Sequence, residues 1–192
     1  MGIRKYVNDY KTILSVNENG KQIRTYEYQG DYFKLPFSNA QMQKFKIIFL
    51  LVLFGVLVAH IAGGFMNNAG MRQFYVAIPF VLTFLPIFNL LRSGIRLPVE
   101  ERKYRREEIG VTYERFSNHS LILLIMLGVC LAGEVVFLLF FSNGSPAMSE
   151  YYFLALELGA LALGLLIFFN IKKIVITRTP EDEKTTVTTM GA

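Results

Sequence analysis

Four stretches, at about 47–66, 74–91, 121–141 and 151–169, are almost wholly apolar over roughly twenty residues each. Nothing else in the sequence narrows the fold so far. At 1.5 Å of rise per residue, about twenty helical residues cross a hydrocarbon core of about 30 Å. A chain in lipid must also satisfy its backbone hydrogen bonds internally, which makes each span a helix. The expected fold class is an all-α membrane bundle of four transmembrane helices. With 53% apolar residues, 18% charged and a mean hydropathy of +0.37, the chain is too apolar for an ordinary water-soluble domain.

Charge orients the spans. Residues 1–46 carry eight Lys and Arg, the link 92–120 carries seven and the tail 171–192 carries four, whereas the two short links hold only Arg72. Basic residues gather on the cytoplasmic side, so both ends of the chain are expected there, in a multi-pass plasma-membrane protein of prokaryotic type. Residues 1–40 are polar and aromatic, unlike a cleaved signal, so the first span is expected to be retained. The net charge of +5 comes from these flanks and does not indicate nucleic acid. The single Cys excludes an intrachain disulfide and a Cys-based zinc cage.

Three regions follow: a β-rich segment 1–37, the bundle 38–170 with its link 92–120, and the tail. Alternating apolar residues around Asn19-Gly20 predict a hairpin with a two-residue turn, pairing Glu18 with Lys21, Val16 with Ile23, Leu14 with Thr25 and Ile13 with Tyr26. A turn at 29–31 would return the chain through 32–35. Segments 110–116 and 174–177 are candidate added strands, completing a small cytoplasmic β-containing cap. Ser38 followed by Gln41 forms a capping box at the start of span one. Pro98, Glu100 and Gly110 punctuate a helix over 98–109. Its Arg102, Lys103, Arg105 and Arg106 form a surface for lipid headgroups, or simply a solvated basic face.

Ionisable residues at bilayer depth carry the functional signal, since each costs at least about 2.5–3.5 kcal/mol to insert. His60, Glu134 and Glu157 each fall six or seven residues from the outer end of their span, so all three belong to one layer. Gly63 and Gly64 follow His60, Ala160 and Gly164 follow Glu157, and Cys130 precedes Glu134 by one turn, which directs these groups towards tight helix contacts. Pro79 and Pro86 free the carbonyls of Tyr75 and Leu82. An imidazole with two carboxylates suits a divalent cation or a shared proton. Cys130, Tyr75 and Asn89 are supporting candidates, although Cys130 also reads as a small buried hydrophobe, Asn89 as an interhelix hydrogen-bonder and His119 as an interfacial residue. Asn143-Gly144-Ser145 matches a glycan acceptor.

No phosphate-binding, dinucleotide, zinc-protease or hydrolase motif is present, and no Lys or Arg lies inside a span. The expectation is a non-enzymatic protein, a small cation- or proton-responsive transporter or channel or its subunit, working as an oligomer or with a larger membrane partner. The alternative is a membrane-embedded assembly protein whose cap docks a partner and whose buried polar groups fix helix packing. A metal-dependent membrane enzyme ranks third.

Overall fold

The computed structural model describes residues 3–16, 22–35, 37–100, 102–142, 147–174 and 176–179. Four helices dominate it: α1 (Asn39–Gly64), α2 (Phe74–Ile95), α3 (Arg115–Phe140) and α4 (Met148–Lys172). All four are long and apolar enough to cross a membrane. Each extends beyond its hydropathic core, because polar residues at one end continue the helix past the apolar run.

Consecutive helices are neighbours and α4 returns to α1, so the four form a closed ring in which α1–α2 is the least extensive contact. Large apolar side chains such as Leu51, Phe54, Val81 and Phe88 point outwards, while Leu53, Val56, Leu90 and Leu123 fill the interior. Apolar residues all round a helix are what a lipid environment selects. Ser38 starts α1 as the sequence indicated: its hydroxyl accepts from Gln41 N at 3.4 Å, and Gln41 Oε1 accepts from Ser38 N at 3.0 Å. Lys46 on α1 donates to the carbonyls of Ile95 (2.8 Å) and Leu97 (3.1 Å), placing a cation on the C-terminal end of α2.

Among the described residues, five short strands lie at one end of the bundle. β1 (Tyr10–Val16) and β2 (Gln22–Tyr28) form an antiparallel hairpin. β3 (Tyr32–Lys34) pairs with β4 (Tyr104–Arg105) on one side and β5 (Thr177–Arg178) on the other. β3 precedes α1, β4 lies between α2 and α3, and β5 follows α4. Their shared sheet therefore fixes these segments at the same end, here the cap end.

Several local expectations are corrected. The hairpin register is shifted by one: Ile13 faces Thr25, Leu14 faces Arg24 and Val16 faces Gln22. The turn and the Glu18–Lys21 pair lie outside the described residues. Burial does not fix the register here, since Leu14 and Tyr26 are 63% and 64% exposed. The base of the hairpin is what is anchored. The Tyr10 and Tyr28 rings meet edge-on at 5.2 Å, Tyr10 OH donates to Glu107 at 2.6 Å, and Gln29 N donates to Asp9 O at 2.8 Å.

β3 does not extend the hairpin as a third meander strand; it belongs to the second sheet. The tail does add a strand, with Thr177 inside the expected segment and Arg178 just beyond it. The helix expected over 98–109 is reduced to Arg106–Ile109, because Tyr104 is buried in β4 with its hydroxyl on the Glu100 carbonyl, and Glu108 accepts from Arg105 N at 3.1 Å. Gly110 does not end that helix. It stays right-handed, and a π-helical turn (Gly110–Glu114) leads directly into α3, so 110–116 is no strand.

Candidate functional site

At the end of the bundle opposite the cap, polar groups replace the apolar core. α1 supplies His60 one turn before its end, α4 supplies Glu157, and both side chains are fully buried. His60 Nδ1 lies 2.8 Å from Glu157 Oε1, and His60 Nε2 lies 2.9 Å from the Phe80 carbonyl of α2. A carbonyl only accepts, so Nε2 carries a hydrogen. The bond at Nδ1 then requires one further proton, held by the ring or by the carboxyl; without it, two acceptors would face each other at 2.8 Å. The pair thus holds one shared proton and is neutral as a unit.

Aromatic rings fix the imidazole. Phe80 stacks on it at 4.0 Å and Phe84 approaches edge-on at 4.9 Å. Gly63 allows the approach of α4: a Cβ there would sit 3.1 Å from Glu157 Oε1 and 3.3 Å from Phe153. Ala160 is fully buried on the same face of α4 and Gly164 packs against Leu124, so the small residues do mark the contact face.

Glu134 does not join His60 in hydrogen bonding. Its Oε1 accepts from Asn68 Nδ2 at 3.3 Å, and its carboxyl lies within hydrogen-bonding reach of Glu150, in the first turn of α4. Glu150 is 2% exposed and accepts from Ala69 N at 2.7 Å. Each of these carboxyls has a second oxygen without an N–H or O–H donor. A direct hydrogen bond between the two carboxyls would require one proton. Asn68 Oδ1 accepts from Met71 N at 3.1 Å, which folds the link 65–73 over the pair. A Cβ on Gly70 would meet the Glu134 carboxyl, so a larger residue there would have to displace that side chain.

The supporting candidates separate. Cys130 is buried one turn before Glu134, its thiol 3.9 Å from the Val76 carbonyl. Tyr75 has a buried hydroxyl without a partner, and its carbonyl, released by Pro79, faces the space left by Gly133. Asn89 is half-buried nine residues past Phe80, roughly 13 Å further along α2 and away from both pairs. At the cap, Arg102, Lys103, Arg105 and Arg106 are all exposed; Arg102 pairs with Glu108 at 2.9 Å and Arg105 lies 5.5 Å from the Tyr28 ring centre. The glycan-like site at Asn143 lies outside the described residues.

Sequence reasoning missed Glu150 and Asn68. Glu150 stands seven residues before Glu157, two turns along the same face, and that spacing was the available signal. A carboxylate in a first helical turn also reads as an ordinary partner for the helix dipole, which hid it. Among the described residues, no three His, Cys, Asp or Glu side chains come together as ligands for a metal ion.

Four helices long and apolar enough to cross a membrane, with buried ionisable groups between them, are what a multi-pass helical membrane protein presents. Comparison with family models, with curated proteins and with solved structures finds no match to the chain. Its function is therefore read from its own residues.

Proposed function

We propose that this chain is a small proton-responsive membrane transporter or channel, or a subunit of one, built on two one-proton pairs, His60–Glu157 and Glu134–Glu150. The observation that carries the reading is the fully buried imidazole bridging Glu157 and the Phe80 carbonyl. Ionisable groups are expensive in a bilayer and mark ion or proton routes when they face a bundle interior. A proton suits this layer better than a divalent cation, since the donors divide two by two and, among the described residues, no three converge. Along α4 the two pairs stand seven residues apart, roughly 10 Å. Glu134–Glu150 lies under the link 65–73 and His60–Glu157 lies deeper, an order that suits a proton taken up at the far end and passed inwards.

The test is proton flux in liposomes loaded with a pH-sensitive dye, driven by a potassium diffusion potential. Wild type should acidify or alkalinise the lumen faster than empty liposomes. His60→Ala and the double variant Glu134→Gln/Glu150→Gln should each reduce that rate at least tenfold while remaining folded by circular dichroism. A wild-type rate equal to that of empty liposomes, or variants as fast as wild type, would refute the proposal. The buried pairs would then serve helix packing alone.

A further inference from the structure

Away from the proton pairs, the outer face of α2 carries a polar group that its own chain leaves unpaired. Ile78, Leu82, Leu85 and Asn89 follow one another at intervals of four, three and four residues, one stripe along the helix. Ile78, Leu82 and Leu85 are 54%, 42% and 61% exposed, and Asn89 is half-buried. α2 meets α1 through Phe80 and Gly94 and meets α3 through Val76, all on the opposite side of the helix. Asn89 stands six residues before the end of α2 at Ile95, and its amide has no hydrogen-bond partner among the described residues. Asn170 of α4 is also exposed, but it donates to the Leu166 carbonyl of its own helix at 2.8 Å. On the same stripe as Asn89, the Leu82 carbonyl loses its regular helical donor, because Pro86 has no N–H. Lipid tails offer such groups neither a donor nor an acceptor.

Alternating intervals of four and three are the spacing of the seam in a left-handed helix pair, with Leu82 and Asn89 in one class of core position and Ile78 and Leu85 in the other. A single Asn in such a seam pairs with its own counterpart, since an amide both donates and accepts, and it thereby fixes register. Two copies inserted in the same direction present parallel α2 helices about a two-fold axis along the membrane normal, which sets like residues opposite one another. We infer that the chain forms a homodimer through α2, with the two Asn89 amides hydrogen-bonded across the axis and Ile78, Leu82 and Leu85 packed beside them. A second copy meets both the donor and the acceptor of Asn89 in one contact, and the freed Leu82 carbonyl adds an acceptor to the same seam. Arg92, next on the stripe, comes near its counterpart at headgroup level, where a long side chain turns to phosphate and water, so the dry seam ends at Asn89.

Förster transfer between donor- and acceptor-labelled N-termini of the full chain, in phosphatidylcholine liposomes at a series of protein-to-lipid ratios, gives the dimer's dissociation constant. Asn89→Leu should raise that constant by about threefold to twentyfold, the range that interhelix hydrogen bonds within a membrane provide. Asn89→Gln, which keeps an amide at the seam, should stay closer to wild type. Disulfide trapping tests the same face without removing Asn89. In a Cys130→Ala background, Leu85→Cys should form a linked dimer on oxidation in the liposomes, whereas Leu158→Cys, at a position 53% exposed on α4, should not. A monomer at every protein-to-lipid ratio, a dissociation constant unchanged or lowered by Asn89→Leu, or faster trapping at Leu158→Cys than at Leu85→Cys would each overturn the inference. None of these readouts involves proton flux, so the dimer and the proton pairs stand or fall separately.

Discussion

Replacing Glu157 by Ala and by Gln separates a shared-proton pair from ordinary packing at His60. In Glu157→Ala the Nδ1 of a fully buried imidazole loses its partner at 2.8 Å, a bond to an ionisable group that contributes about 1.5–3 kcal/mol. Truncation also leaves a void between Gly63, Phe153 and the imidazole, costing about 1–2 kcal/mol more. The expected loss is about 2.5–5 kcal/mol, a large part of the roughly 5–15 kcal/mol that holds a typical domain together. Glu157→Gln behaves differently. Because Nε2–H is committed to the Phe80 carbonyl, Nδ1 is free to accept, and the Gln amide supplies the N–H that the shared proton supplied before. That variant should cost less than about 1 kcal/mol. Unfolding in mixed dodecyl maltoside and SDS micelles, followed by circular dichroism, gives both numbers. Adding His60→Ala and the double variant closes a cycle whose coupling should reach about 1.5–3 kcal/mol. A Gln variant as unstable as the Ala variant, or a coupling under about 0.5 kcal/mol, would refute the one-proton assignment.

Gly70→Ala should destabilise by about 1–3 kcal/mol in the same assay, because its Cβ would overlap the Glu134 carboxylate; a neutral result would mean the link 65–73 is not seated on Glu134. Glu150→Ala should speed amide hydrogen exchange at Ala69 while Glu150→Gln leaves it slow, since the amide oxygen can still accept from Ala69 N; equal exchange in both would argue against that bond. Burial holds the Tyr113 hydroxyl well above the ordinary ionisation range of tyrosine, so its contribution to stability is complete below about pH 10 and is lost as pH rises beyond it. Tyr113→Phe, which also removes a buried hydroxyl without a partner, should match or exceed wild type in Tm at pH 7 and lose less Tm between pH 9.5 and 11. Lys46→Met should cost about 0.5–1.5 kcal/mol and speed exchange at the Leu97 amide, by uncovering the last carbonyls of α2.

Hydropathy made the four helices legible, because no other structure lets twenty apolar residues keep their backbone bonds in lipid. Counting along each span put His60, Glu134 and Glu157 in one layer, whereas Glu134 lies with Asn68 and with Glu150, two turns along α4 from Glu157. The partners of these groups were not legible. Pairing depends on the rotation of each helix about its axis and on the fold of a short link, and neither leaves a trace in hydropathy. Hence Glu134 meets Glu150 and Asn68, while His60 takes Glu157 alone among the carboxylates. At the cap, local punctuation competed with tertiary contacts and lost. Gly110 is compatible with a helix end, but burial of Tyr104 and the Glu108 bond to Arg105 N decide where the helix starts, and the chain then runs through Gly110 into α3. The hairpin was recognisable from its alternation. Its register was not, because both strands expose apolar side chains and the anchor lies at Tyr10 and Tyr28, away from the turn.

β3 hydrogen-bonds to strands from both other cap-end segments, before α3 and after α4, so a single extended segment laces three parts of the chain together where the helices begin and end. No comparable sheet ties the far end among the described residues; buried polar contacts and a folded link hold it. Mechanically the bundle is a peg with its spring at the cap and its jaws at the polar layer. On the proposed function, loss of a proton from either pair would strain the jaws and leave the spring intact, so any parting of the helices would begin at the far end.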